Sequence, residues 1–159
     1  IAPFSKQEGK TYPSPLREQL VEQAAEAFDR VFVFSGGGAE REFAGTMESR
    51  HKNVTAVFGR IRLDEEVDLM ANLDALVSMD SSAMHMASLV GTPTVSVWGA
   101  THPATGFYGW GGNAENQVQL DLPCRPCSVY GEKTCQFGDY RCMRVAPERI
   151  IKRLNAITK

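Results

Sequence analysis

Short apolar runs alternate with amphipathic stretches along most of the chain, and this alternation limits the fold more than any other feature. Val31-Phe32-Val33-Phe34 is a continuous apolar run that ends in Ser35-Gly36-Gly37-Gly38, the pattern of a strand buried on both faces that leaves through a flexible turn. Val54 to Phe58, Ala75 to Met79 and Thr94 to Trp98 predict further strands. Ile1-Ala2-Pro3-Phe4 reads as a strand already under way, so the true start of the protein is expected upstream. Helices are predicted between these runs, from Ser14 to about Phe28, Glu40 to Arg50, Leu63 to Leu73 and Ser81 to Val90. In the first, Ser14 is the expected cap and Pro15 supplies the φ of an opening turn, with Leu16, Leu20, Ala24 and Phe28 forming one apolar stripe. From about 100 to 145 the chain is rich in Gly, Pro and Cys and has little periodicity; Pro147 then opens a closing helix to about 157 that aligns Ile150, Ile151, Leu154 and Ile157.

Alternating β and α units with doubly apolar strands predict a Rossmann-like α/β fold, a parallel sheet with helices on both faces, because right-handed crossovers lay each helix over the sheet. The 159 residues are 43% hydrophobic, enough for one domain spanning 1–159 with its own core. Lys and Arg number 17 against 19 Asp and Glu, a net charge of -2 with no basic block, which argues against a nucleic-acid partner. No apolar run approaches the roughly 20 residues needed to cross a bilayer as a helix.

Ligands of open α/β sheets bind beyond the carboxyl ends of the strands, where turns gather and helix N-termini offer free N–H groups. Ser5, Lys10, Gly36 to Glu40, Gly59, Arg60, Asp80 to His85 and Gly99 to His102 all follow predicted strands. Gly36 to Gly38 suit a tight turn as well as a phosphate loop. Asp80, Ser81 and Ser82 sit where a strand becomes a helix, so their N–H and hydroxyl groups suit a pyrophosphate. The competing reading makes Asp80 a helix cap and packs His85 beneath the loop.

Asp80-Ser81-Ser82-Ala83-Met84-His85, followed by Gly91-Thr92-Pro93 and Trp98-Gly99-Ala100-Thr101-His102-Pro103, resembles the signature of glycosyltransferase family 9, the heptosyltransferases. Lys10-Thr11-Tyr12-Pro13 is similar to the family's Lys-x-aromatic-Pro, Gly38-Ala39-Glu40-Arg41-Glu42 to its Gly-x-x-Glu turn, and Gly59-Arg60 to the Gly-Arg before its third helix. The resemblance implies the C-terminal half of a GT-B fold, two Rossmann-like domains facing a cleft, with this half holding a nucleotide-sugar donor. By that resemblance Lys10, helped by Ser5, neutralises donor phosphates; Asp80 contacts the sugar; Ser81, Ser82 and His85 line the diphosphate and sugar. Gly38 belongs to the turn before Glu40, which accepts from the ribose, while Arg60 precedes Ile61, the apolar contact for the base. Ile61 also suits ordinary core. The sequence departs from the family at Ser82, where glycine is usual, which leaves the register of the phosphate contact open.

The resemblance further implies inverting transfer of a sugar, heptose from ADP-heptose, to a lipopolysaccharide core acceptor held through an N-terminal domain that carries the catalytic base. It implies no cofactor for catalysis and a cytoplasmic location, with the full-length parent peripheral to the inner membrane. On this reading the chain alone is an inactive fragment. A nucleotide-sugar epimerase of GT-B-like fold and a non-catalytic nucleotide-binding module are the alternatives.

All four cysteines, Cys124, Cys127, Cys135 and Cys142, fall in the aperiodic region. Four thiolates this close in sequence can complete a structural zinc site, although only the Cys124-x-x-Cys127 pair has the usual ligand spacing. Free cysteines packed under the loop, or disulfides formed after handling, fit the same sequence.

Overall fold

The computed structural model describes residues 1–158. Three-residue strands β1 (Val31–Val33) and β2 (Val54–Ala56) pair in parallel, as do β3 (Leu76–Met79), β4 (Thr94–Trp98) and β5 (Gln117–Gln119). The first residues join these two groups. The Ile1 amine donates to the Phe32 carbonyl at 2.6 Å and the Phe34 N–H to the Ile1 carbonyl at 2.9 Å. On the other side the Ala2 N–H donates to the Val77 carbonyl and the Met79 N–H to the Ala2 carbonyl. Ile1 and Ala2 therefore stand as a short central strand, and the spatial order is β2, β1, Ile1–Ala2, β3, β4, β5, the doubly wound Rossmann order. Its switch point, where successive connections depart in opposite directions, lies between the Ile1–Ala2 segment and β3.

The helices are α1 (Ser14–Ala27), α2 (Ala39–Arg50), α3 (Leu63–Ala71), α4 (Ser82–Leu89) and α5 (Pro147–Ile157). Strand residues divide between them with a period of two. Val31, Val33, Val77 and Met79 face a core completed by Leu20, Val21 and Ala24 of α1, Ala44 and Met47 of α2, and Ile150 and Leu154 of α5. Phe34 and Leu76 face the opposite layer, where Met70 of α3 and Ala83 and Ala87 of α4 cover the sheet.

Several boundaries differ from the sequence expectation for local reasons. Pro13, not Ser14, is the N-cap of α1, and no side chain caps that end; Ser14 is the first helical residue, and Pro13 reaches the extended φ/ψ of a cap without a hydroxyl. Phe34, Val57 and Phe58 lie beyond the ends of β1 and β2, and the fourth helix starts at Ser82 with Ser81 as its cap residue. The region 100–145 is not wholly irregular: β5 adds an edge strand there, its single buried residue Val118 flanked by two glutamines, a pattern too short and polar to stand out.

Thr92, in the Gly91-Thr92-Pro93 turn, fastens the second layer. Its buried hydroxyl donates to the Met70 carbonyl at the end of α3, and its N–H to the Ala87 carbonyl in α4. Thr92→Val keeps the shape but strands the Met70 carbonyl, so it is expected to cost about 1–3 kcal/mol, read as a lower urea midpoint with unchanged slope.

Candidate functional site

At the switch point the chain leaves the Ile1–Ala2 segment, makes a tight turn over Glu8–Lys10 and enters α1. The turn rests on the end of β4, where the Ala100 N–H donates to the Gly9 carbonyl at 2.9 Å. Both glycines at this crossing are required by space. A Cβ on Gly9 would lie 2.7 Å from the Ala100 Cβ, and one on Gly99 would overlap the Met143 sulfur. Tyr12 is fully buried and its hydroxyl donates to the Val145 carbonyl, which fixes the start of α1 against the chain entering α5.

This seating brings Lys10 to Asp80. The ammonium lies 3.3 Å from Asp80 Oδ2, with side-chain exposures of 15% and 9%, so the pair is largely withdrawn from water. The same carboxylate oxygen accepts from the buried Thr101 hydroxyl at 2.8 Å, and Ser5 Oγ donates to the Asp80 carbonyl at 3.4 Å. Ser5, Lys10, Asp80 and Thr101 thus converge from three different strand ends. Asp80 is a hub of charge and hydrogen bonding and not the helix cap of the competing reading; the cap residue is Ser81, whose hydroxyl is turned to Ser78 Oγ at 3.2 Å.

Among the described residues no side chain caps α4, so its first N–H groups are left for another acceptor beside the Lys10–Asp80 pair. Ser82 and His85 are exposed and three residues apart on one face of this helix. His85 is therefore not packed beneath the loop.

The turn after β1 is closed internally. Glu40 Oε2 accepts from the Gly36 N–H at 2.7 Å, and Gly38 enters α2 with φ 61°, the left-handed side where a side chain is strained. Arg17 bridges this turn to the Ser5 loop: its guanidinium stacks at 4.5 Å over Phe4 and 4.7 Å over Phe43 and lies near Glu40, and burial lowers its pKa.

Arg60 and Ile61 are not drawn into this constellation. Arg60 is exposed and forked onto Glu48, a surface pair that holds the Glu48 carboxyl below its usual range chiefly through those hydrogen bonds. Ile61 is partly buried against the layer of Phe34, Val57 and Met70. Among the described residues, neither has a hydrogen bond or ion pair to Lys10 or Asp80.

Sequence reading missed Arg17 and Arg125 as site-building residues, and gave Thr101, within Gly99 to His102 beyond its strand, no role of its own. Thr101 was within reach, since it sits in the Gly99-Ala100-Thr101-His102-Pro103 loop. Arg125 lay in the aperiodic stretch and carried no signal. Its guanidinium donates to the Gly99, Leu120 and Thr101 carbonyls, tying the cysteine-rich loop to the end of β4.

The four cysteines are free thiols gathered around that tie, but among the described residues no group of three or more His, Cys, Asp or Glu is placed to hold a metal ion. Cys127 Sγ is turned to the Cys124 carbonyl and Cys142 is buried. Burial, reinforced by neighbouring thiols, raises the Cys127 and Cys142 pKa values, whereas backbone N–H groups, that of Phe137 foremost, lower that of Cys135. The thiolate is the reactive form, so iodoacetamide near neutral pH is expected to alkylate Cys135 first and Cys142 last, read by peptide mass spectrometry. Equal rates would contradict this arrangement of the loop.

No helix among the described residues is long and apolar enough to cross a membrane.

The model of glycosyltransferase family 9 (heptosyltransferase) matches residues 1–140. Lipopolysaccharide heptosyltransferase 1 of Pseudomonas aeruginosa is 33% identical over 128 residues, covering 80% of this chain and 34% of that protein. Lipooligosaccharide heptosyltransferase 2 of Campylobacter jejuni is 25% identical over 134 residues, 81% of this chain and 41% of its own. The chain thus spans about a third to two-fifths of the length of these curated relatives. The structure of E. coli ADP-heptose lps heptosyltransferase II superposes with a TM-score of 0.74 at 21% identity, over 99% of this chain and 45% of that one. The fold is that of one Rossmann-like half of a GT-B protein. The chain belongs to glycosyltransferase family 9, the heptosyltransferase family.

Proposed function

We propose that the chain is the C-terminal, donor-binding half of a glycosyltransferase that moves heptose from ADP-heptose to a lipopolysaccharide core acceptor with inversion. The observation that carries this reading is the largely buried Lys10–Asp80 pair beside the uncapped start of α4, at the switch point of the sheet. A diphosphate leaving group gathers negative charge as the glycosidic bond breaks. A lysine and a helix N-terminus are the groups that stabilise such charge without rearranging.

In this reading Lys10 and the first N–H groups of α4 take the diphosphate, with Ser5 and Ser82 adding hydroxyl donors. Asp80, oriented by Thr101 and Lys10, meets the sugar, and His85 stands one turn further along α4 at the same opening. Glu40 has one carboxylate oxygen engaged by Gly36 and offers the other to the ribose hydroxyls. Gly38 gives the backbone turn that sets Glu40 at the head of α2. Arg60 and Ile61 are assigned to the rim on the base side, and the Glu48 pair must open before Arg60 reaches a ligand. The base that deprotonates the acceptor is assigned to the N-terminal half, which also holds the acceptor. The parent acts in the cytoplasm against the inner membrane, where a lipid-linked acceptor is presented.

Calorimetric titration with ADP, UDP and GDP tests the reading. Saturable binding of ADP in preference to the other two is expected. Preference for UDP or GDP would overturn the ADP-heptose assignment, and failure of all three to bind at millimolar concentration would overturn the donor-binding role of this chain.

A further inference from the structure

We propose that Gly131 and Arg125, both in the cysteine-rich loop, are positioning residues that hold the Lys10 side chain against Asp80, so that this loop sets the geometry of the phosphate-binding lysine. The proposal rests on the donor-site reading for its function but not for its geometry.

Gly131 is buried and has φ 76°, and it lies directly on the Lys10 stem. A Cβ built on it would sit 2.9 Å from Lys10 Cγ, 3.0 Å from Lys10 Cδ and 3.3 Å from Thr101 Cγ2. Only a residue without a side chain lets the loop come this close while Lys10 reaches Asp80. The approach is fixed from both sides. The Gly131 N–H donates to Ser128 Oγ at 2.9 Å, and that hydroxyl donates to Glu132 Oε2 at 2.7 Å, which closes the turn. Upstream, the Cys127 N–H donates to the Ala100 carbonyl at 2.7 Å, and Arg125 Nη2 donates to the Thr101 carbonyl at 2.8 Å.

Thr101 is therefore held by Arg125 through its carbonyl, leaves no free room between its methyl and a Cβ at position 131, and donates its hydroxyl to the Asp80 oxygen that faces Lys10. The loop braces both members of the ion pair at once. A side chain at position 131 has one soft neighbour to displace, the methylene stem of Lys10, and its displacement carries the ammonium away from Asp80.

The test reads Lys10 directly and without ligand. Brief acetylation by acetic anhydride, followed residue by residue by mass spectrometry, gives the labelling rate of Lys10 relative to exposed Lys6. Gly131→Asn introduces a Cβ in a residue that tolerates positive φ, and is expected to raise the Lys10 to Lys6 ratio at least about threefold as the protected pair opens. Gly138→Ala, in the same loop at φ 68° with nothing within 4 Å of its added Cβ, is the control for backbone strain and should leave the ratio unchanged. Arg125→Lys keeps the charge but loses the three-carbonyl fork, and is expected to raise the ratio as well. It also decides the matter if Gly131→Asn does not fold.

Unchanged Lys10 labelling in a folded Gly131→Asn or Arg125→Lys protein would overturn the brace. The same proteins titrated with ADP and with adenosine separate the two levels of the argument. Loss of ADP affinity with adenosine affinity retained, and no further loss when Lys10→Ala is added, supports a brace that acts through Lys10 on the phosphates. Faster labelling with no ADP binding even in the parent sequence leaves the brace standing and removes the donor-site reading.

Discussion

Alanine at position 99 is expected to cost the chain about 3 kcal/mol or more, since overpacking a tight core costs about 1–3 kcal/mol and more where backbone must move. Gly99 is buried at the crossing of β4 with the turn that carries Lys10, and a Cβ there would overlap the Met143 sulfur and lie 2.7 Å from the Gly9 carbonyl oxygen. Met143 can swing its sulfur away, but the Gly9 carbonyl is backbone and is already accepting the Ala100 N–H. The methyl therefore separates the Lys10 turn from the sheet. Against a total stability of about 5–15 kcal/mol for a domain, a loss of this size is visible as a large drop in urea midpoint. A change below about 0.5 kcal/mol, the range of ordinary surface substitutions, would show that the crossing is not packed as described.

Lys10→Ala is expected to weaken ADP binding about 10- to 100-fold, because hydrogen bonds to charged groups are worth about 1.5–3 kcal/mol and each 1.4 kcal/mol is tenfold in affinity. The substitution also leaves the Asp80 carboxylate with the Thr101 hydroxyl as its side-chain partner and brings a negative charge next to the phosphates unopposed. Adenosine affinity should change little, since it has no phosphate for Lys10 to meet. Equal losses for ADP and adenosine would indicate a collapsed site and not a lost phosphate contact.

Much of this architecture was legible in the sequence because its causes are local. Val31 to Phe34 is apolar at every position and Ala75 to Met79 at every position but Ser78, as suits a strand covered on both faces, and Pro147 with Ile150 and Leu154 marks both the start and the inner face of α5. Asp80 and Lys10 are singled out from the ends of different strands, and the structure joins them through 69 residues of intervening chain by a register that no local pattern encodes. What escaped the sequence depends on such distant contacts. β5 is a strand because β4 offers it a free edge, not because Gln117-Val118-Gln119 insists on it. Arg125 and Gly131 gain their meaning from carbonyls and a lysine stem contributed by other elements, while Arg60, which a motif placed in the site, is taken up by Glu48 of α2. The Cys124-x-x-Cys127 spacing left a metal set open beside free thiols, and among the described residues no group of three or more metal-ligating side chains is placed to hold an ion.

The central claim is the location of the donor site at the switch point, and the most direct measurement is amide chemical-shift mapping of the nitrogen-15-labelled chain during ADP titration. The account predicts that the largest shifts fall on Ser5, Lys10, the turn Gly36 to Gly38 and the first turn of α4 from Ser81 to Met84. Shifts confined to the opposite end of the sheet, around Asp29 to Val31 and Asn72 to Ala75, or to the cleft between Gly91 and Gln117, would contradict it.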